Sequence, residues 1–292
     1  MLGAAFFLTL AFCILEFVGG KLSGSLALMA DAVHMLADVG ALGLAFFAGR
    51  MAAKRATPKM TYGFYRFEIL SAIVNGGALL AIALFIVKEA LERFRHIPPI
   101  QTSLMIPIAA AGLVLNFFIG LLLLGFKEES INLRGAFFHV VSDGLSSLGT
   151  VGAGVVIALT GRRWADPAAS CVIAVLISAS GWRLLKDAVG VLLEAVPEHI
   201  NMQALESGIL SVRGVVAIHD LHVWSITSGH ESLSAHLEAE PGSVPDELLG
   251  RVNEILSRGF NIHHTTIQIE TADPSKPCPV THKKKSSKHF HS

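Results

Sequence analysis

The sequence predicts a membrane α-helical protein, a six-helix transmembrane bundle followed by a small cytoplasmic α+β domain. Three observations predict it. Six apolar stretches of about 20 residues occupy the first two thirds of the chain, and a helix of that length crosses ~30 Å of hydrocarbon. Of the 292 residues, 52% are hydrophobic and only 16% charged, whereas soluble domains carry about 25% charged residues. Beyond residue 190 the long apolar runs give way to shorter, alternating segments that hold ten of the 13 histidines.

The apolar stretches cover about 2–20, 25–49, 67–88, 104–125, 135–160 and 166–186. The first lacks a basic leader and a small-residue cleavage site, so it reads as a retained span. In the third, Glu68, Ser71 and Asn75 leave the lower boundary open to a break. Six spans put both termini on one side. Arg50, Lys54, Arg55, Lys59, Arg66, Lys127, Arg134, Arg183 and Lys186 fall on that side; Lys21, Lys88, Arg93, Arg95, Arg162 and Arg163 fall on the other. Nine against six places the termini in the cytoplasm; a plasma (bacterial inner) membrane is the expected setting.

After Pro197 the pattern predicts a helix over 199–212 and a strand over 214–226, rich in β-branched residues. A turn at Gly229 leads to a second strand over 232–240. Leu248, Leu249, Val252, Ile255 and Leu256 recur at helical spacing within 245–258. A third strand over 262–270 completes an αββαβ order, which fits a ferredoxin-like domain. The chain therefore divides into a membrane domain over 1–190, a soluble domain over 191–271 and a His- and Lys-rich tail over 272–292 that reads as disordered.

Composition excludes some classes. A formal net charge of zero argues against a nucleic-acid partner. Three scattered cysteines make no disulfide framework, and Cys13 and Cys171 read as small packing residues.

The chemistry lies in two stretches. His34 and Asp38 stand four residues apart in the second apolar run, and His139 and Asp143 four apart in the fifth. Residues i and i+4 share a helical face, so each helix projects one imidazole and one carboxylate in the same direction. Two nitrogens and two oxygens make a tetrahedral donor set suited to zinc, with cobalt and cadmium also within its reach. The bland reading, His–Asp hydrogen bonds that only lock helices, is weaker for two copies, because ionisable groups in hydrocarbon are costly. Glu16, Asp31, Glu68, Asn75 and Asn116 are further polar positions in the spans; Asp31 reads as a packing hydrogen bond, and Glu16 and Asn116 as interhelical glue.

The order of six spans, the stretch Ser25-Leu26-Ala27-Leu28-Met29-Ala30-Asp31-Ala32-Val33-His34, the segment Tyr62-Gly63-Phe64-Tyr65-Arg66-Phe67-Glu68, His139-x3-Asp143 and the strand His219-Asp220-Leu221-His222-Val223-Trp224 resemble the cation diffusion facilitator family. The resemblance covers about 1–271 and is nearest the zinc-exporting branch, which carries His-x3-Asp in its second span. It implies a homodimeric metal/proton antiporter, not an enzyme, in which His34, Asp38, His139 and Asp143 form the transport site. It also implies a second zinc site in the soluble domain from His219, His236, His263 and Glu270, and an interdomain charge pair between Arg66 and Glu194. Strand parity, by contrast, puts His264 rather than His263 on the face of Glu270; the expectation here follows the resemblance. Parity also puts His222 and Trp224 opposite His219, as packing residues of a dimer interface. Phe64 and Tyr65 stand where relatives often have a loop histidine, so no loop site is expected. Cys278 with His282, His289 and His291 is a tail cluster that either captures zinc or is plain solvated chain.

Three rival classes are less well served. A membrane zinc hydrolase would need a His-Glu-x2-His motif or a nucleophile beside a base, and the sequence has neither. A channel needs weak or multiple sites rather than four strong ligands in one place. A metal sensor would bind without carrying flux.

Overall fold

The computed structural model describes residues 2–124 and 131–271; the tail cluster around Cys278 lies outside them. Six long helices come first: α1 (Leu2–Ser23), α2 (Leu26–Ala52), α3 (Arg66–Arg95), α4 (Thr102–Leu124), α5 (Ile131–Thr160) and α6 (Ala165–Leu192). Five of them, α2 to α6, are long and apolar enough to cross a membrane; the remaining one, α1, is a 22-residue helix. Helices α3, α5 and α6 run more than a turn past the apolar stretches, because polar flanks continue a helix once it is nucleated. The third is unbroken through Glu68, Ser71 and Asn75.

The chain forms two units, one of residues 1–55 with 70–188 and the other of residues 56–69 with the chain from Val189 onward. In the first, α1, α2, α4 and α5 pack side by side. Helices α3 and α6 join α2 through Ala27, Ala30, Leu79, Ala83, Ile86, Ile173, Ala174 and Ile177. Small residues let these backbones approach closely, the usual packing of helices in lipid. The outer faces carry exposed Phe46, Leu84, Leu122, Leu159 and Trp182, apolar surface on a scale suited to lipid rather than water.

The second unit holds α7 (Met202–Leu210), β1 (Val215–Thr227), β2 (His230–Ala239), α8 (Pro245–Phe260) and β3 (His264–Thr271). This is the αββαβ order. The sheet runs β1-β2-β3, with β1 antiparallel and β3 parallel to β2. Its core joins Leu205 and Ile209 of α7, Leu233 and Leu237 of β2, and Leu248, Val252 and Leu256 of α8. Helix α7 begins three residues later than expected, where the Asn201 side chain accepts a hydrogen bond from the Ala204 amide at 3.1 Å; such a cap fixes a helix start more firmly than periodicity does.

One expectation fails on a β-bulge. His219 pairs with His236, but the next pairing is His222 with Ser234, so three steps on β1 oppose two on β2. Asp220 takes up the extra residue in a left-handed conformation, φ 51°. A bulge shifts the alternation by one. His222 and Trp224 therefore share the sheet face of His219 instead of opposing it.

Candidate metal centres

Helices α2 and α5 each bring one His–Asp pair to a common point. His34 Nδ1 lies 3.8 Å and His139 Nε2 3.4 Å from Asp38 Oδ2. His34 Nε2 lies 3.4 Å from Asp143 Oδ1, and His139 Nε2 lies 3.7 Å from Asp143 Oδ2. The four side chains thus close a ring in which imidazoles and carboxylates alternate. Donors on a zinc ion at ~2.0–2.1 Å stand about 3.3 Å apart in a tetrahedron, so the ring is close to the size an ion needs. His34 offers different nitrogens to its two neighbours; His34, Asp38 and Asp143 bring ligand atoms within 4.8 Å of one another, and His139 joins them through its contacts to Asp38 and Asp143. The two imidazoles meet nearly edge to face, with centroids 6.1 Å apart. His34 Nδ1 and Asp143 Oδ1 are buried without a hydrogen-bond partner among the described residues. Unsatisfied buried donors and acceptors are costly, and a cation between them would relieve that cost.

What holds α2 in place was not legible in the sequence. Asp166, in the first turn of α6, accepts from Ser25 Oγ at 2.5 Å and from the amides of Leu26 and Ala27 at 2.7 and 3.2 Å. Arg93 Nη1 donates to the Gly24 carbonyl at 2.7 Å. A carboxylate on exposed amides at a helix N-terminus satisfies them and complements the helix dipole. Asp31, one turn before His34, accepts from Ser147 Oγ of α5 at 2.9 Å, the packing role expected of it. Asn116 donates to the same hydroxyl at 3.5 Å.

In the second unit, His219, His236 and Glu270 come together. His236 Nδ1 and His219 Nε2 lie 3.0 and 3.5 Å from the two oxygens of Glu270. Both His219 nitrogens are buried without a hydrogen-bond partner among the described residues, again a donor set that fits zinc. His263 stands apart: it is exposed, and its Nε2 sits 3.1 Å from Asn261 Oδ1. Six to seven residues of extended chain, at ~3.3 Å each, separate Glu270 from either histidine at the other end of β3. His264 does share the face of Glu270, as parity requires, and rests against the Tyr62 ring at 6.0 Å. The bulge adds Asp220, whose carboxylate lies 3.0 Å from His222 Nε2 and 3.9 Å from His236 Nε2.

Arg66 Nη2 and Glu194 Oε1 meet at 3.2 Å. Glu194 follows α6 in a left-handed conformation, φ 58°. The Ala195 amide donates to Gly190 O and the Glu194 amide to Val191 O, which together make a Schellman turn.

A bundle of apolar helices with a His2Asp2 ring inside, joined to a soluble α+β unit with its own His2Glu group, defines a multi-span membrane protein that handles a cation. Family models agree: residues 2–193 match the cation efflux transmembrane domain and 197–272 the cation efflux protein cytoplasmic domain. The chain belongs to the cation efflux family. It is 40% identical over 274 residues to the cadmium, cobalt and zinc/H(+)-K(+) antiporter of Bacillus velezensis, covering 92% of this chain and 87% of that protein. It is 39% identical over 268 residues to the zinc transporter ZitB of Escherichia coli, covering 91% and 85%. The solved metal-bound C-terminal domain of the CzcD transporter from Cuprividus metallidurans shares 36% identity, at a TM-score of 0.24, covering 24% of this chain and 99% of that one.

Proposed function

We propose that the protein exports zinc from the cytoplasm in exchange for protons, as a homodimer in a bacterial inner membrane with its termini in the cytoplasm. The observation that carries this reading is the closed ring of His34, Asp38, His139 and Asp143, with edges of 3.4–3.8 Å. Zinc is the substrate that suits this ring best, and cadmium and cobalt are secondary ones.

The ring also accounts for exchange. An imidazole must be neutral and a carboxylate ionised to bind metal, so loading releases protons and reprotonation drives unloading. Facing the cytoplasm, His34 and His139 lose protons and the ring takes zinc. Facing outward, they take protons from the external side and zinc leaves. Metal and proton compete for one site, and alternating access turns that competition into antiport.

His219, His236 and Glu270 form a second zinc site, which steadies the soluble units of the homodimer. Arg66 and Glu194 act as a charge pair that ties the start of α3 to the chain leaving α6.

Zinc uptake into proteoliposomes under an imposed pH gradient tests the reading, comparing wild type with Asp143→Ala. Gradient-driven flux that the substitution abolishes is the expected result. Equal flux in both proteins, or zinc flux indifferent to the gradient, overturns it.

A further inference from the structure

Glu16 is the polar residue that the transport ring leaves unused. It lies on α1, is fully buried, and neither carboxylate oxygen has a hydrogen-bond partner among the described residues. Among the described residues it makes none of the interhelical hydrogen bonds that its position suggested. The carboxyl is packed, not loose: a Cβ built on Gly112 of α4 would fall 2.7 Å from Oε1, and the Phe12 ring closes on the same glycine.

The charges that face Glu16 are acidic. From α2 Asp31 acts on it, and from α5 Asp143; the other titratable ring residues, His34 and Asp38 on α2 and His139 on α5, lie along the same helices. Helix α4 presents the neutral Asn116, and Cys13 is the neighbouring titratable group on α1 itself. No Lys or Arg pairs with Glu16 among the described residues. An ionised carboxylate without a cation at this depth is strongly disfavoured, and a neutral acid is tolerated.

We infer that Glu16 is a proton-binding site separate from the metal ligands, holding a proton while the ring is empty and releasing it when zinc fills the ring. The inference rests on the antiport reading and adds one proton to its cycle. A divalent ion beside Asp143 replaces net negative charge with positive charge, which favours the ionised carboxylate at Glu16. The carboxyl O–H bond then breaks, the proton passes to water on the side the site faces, and the carboxylate remains as an extra counter-charge to the ion. When zinc leaves on the other side, Glu16 takes up a proton there. Both steps run in the direction antiport requires.

The test is proton release on zinc binding to the purified full-length protein. Calorimetry in two buffers of different ionisation enthalpy gives the count for wild type, Glu16→Gln and Glu16→Asp. Glutamine is the isostere of the neutral acid, so it preserves the packing against Gly112. The expected result is about one proton fewer per zinc in Glu16→Gln, with a dependence of log affinity on pH shallower by about one, and recovery in Glu16→Asp. Protons released at the ring and at the soluble-unit site are common to all three proteins and cancel in the comparison. Equal proton counts in wild type and Glu16→Gln overturn the inference. The count is read from binding alone, so absence of flux would overturn the transport reading while this comparison still decided Glu16.

Discussion

Asp166 Oδ1 lies 2.5 Å from Ser25 Oγ, so the first turn of α6 caps the first turn of α2 across 141 residues of sequence. The carboxylate is fully buried and spends its remaining capacity on the amides of Leu26 and Ala27. Asp166→Ala would leave a buried hydroxyl and two amides unsatisfied. Hydrogen bonds to a charged group contribute ~1.5–3 kcal/mol each way they are measured, so a loss of about 2–3 kcal/mol is expected. The melting temperature in detergent should fall clearly, and zinc flux should fall with it, because α2 carries His34 and Asp38. An Asp166→Ala protein as stable as wild type would show that the cap is not what seats α2.

Much of this architecture was legible from spacing alone. The i,i+4 pairs His34/Asp38 and His139/Asp143 converge as helical geometry requires, and the αββαβ order follows the switch from helical to alternating periodicity. What was not legible came from contacts distant in sequence or from local exceptions to periodicity. Asp166 reads as an ordinary residue at the edge of a span until α2 is placed beside it. The Asp220 bulge reverses the alternation that had separated His222 from His219, and alternation carries no sign of where it will slip. His263 fails to join Glu270 because a resemblance transfers positions, whereas the length of β3 decides reach.

Zinc affinity should fall as the solution is acidified. Both imidazoles of the ring must be neutral to bind. Where both are protonated in the empty ring, each competing proton weakens binding about tenfold per pH unit, so two histidines give up to ~100-fold per unit. His139→Asn should bind more weakly but with a shallower acid limb, since one competing proton is gone. Zinc titrations between pH 5.5 and 7.5 measure this; parallel limbs in the two proteins would remove His139 from the ligand set.

Zinc should stabilise the soluble unit through His219, His236 and Glu270. A ligand at 100 times its Kd adds about 2.7 kcal/mol to the form that binds it. Glu270→Gln keeps the side-chain shape and its hydrogen bond from Gln268 (2.8 Å in the wild type) but removes the anionic ligand. In full-length protein it should lose part of the zinc-induced rise in melting temperature and one bound zinc per chain, with the transport ring intact. An unchanged stoichiometry would place the second zinc elsewhere.

Glu194 sits in a left-handed turn where glycine would be free of strain. That conformation costs a non-glycine residue about 1–2 kcal/mol, and an ion pair as exposed as Arg66–Glu194 returns ~0–1 kcal/mol. Glu194→Gly should therefore be as stable as wild type or slightly more so. The carboxylate, not the backbone, is what the position supplies. Glu194→Arg and Arg66→Glu should each depress zinc flux, and the double exchange should restore part of it. Failure of the double variant to exceed both singles would leave the pair without a role in transport.

Gly76 of α3 and Gly181 of α6 bring two backbones into contact. A Cβ on Gly181 would meet Leu79 Cβ at 3.0 Å and Gly76 O at 3.1 Å, and a Cβ on Gly76 would meet Gly181 O at 3.0 Å. Backbone cannot yield as a flexible side chain can, so the helices must separate to admit either group. Gly181→Ala asks for a few tenths of an ångström; Gly181→Leu asks for much more, and overpacking of this kind costs ~1–3 kcal/mol. Leu79 belongs to the cluster that also holds Ala27 and Ala30 of α2, so displacement of α3 bears on the helix that carries His34. The expected order of melting temperature and of zinc flux is wild type, then Gly181→Ala, then Gly181→Leu. Should Gly181→Leu transport as fast as wild type, close apposition of α3 and α6 would not be needed to hold the ring.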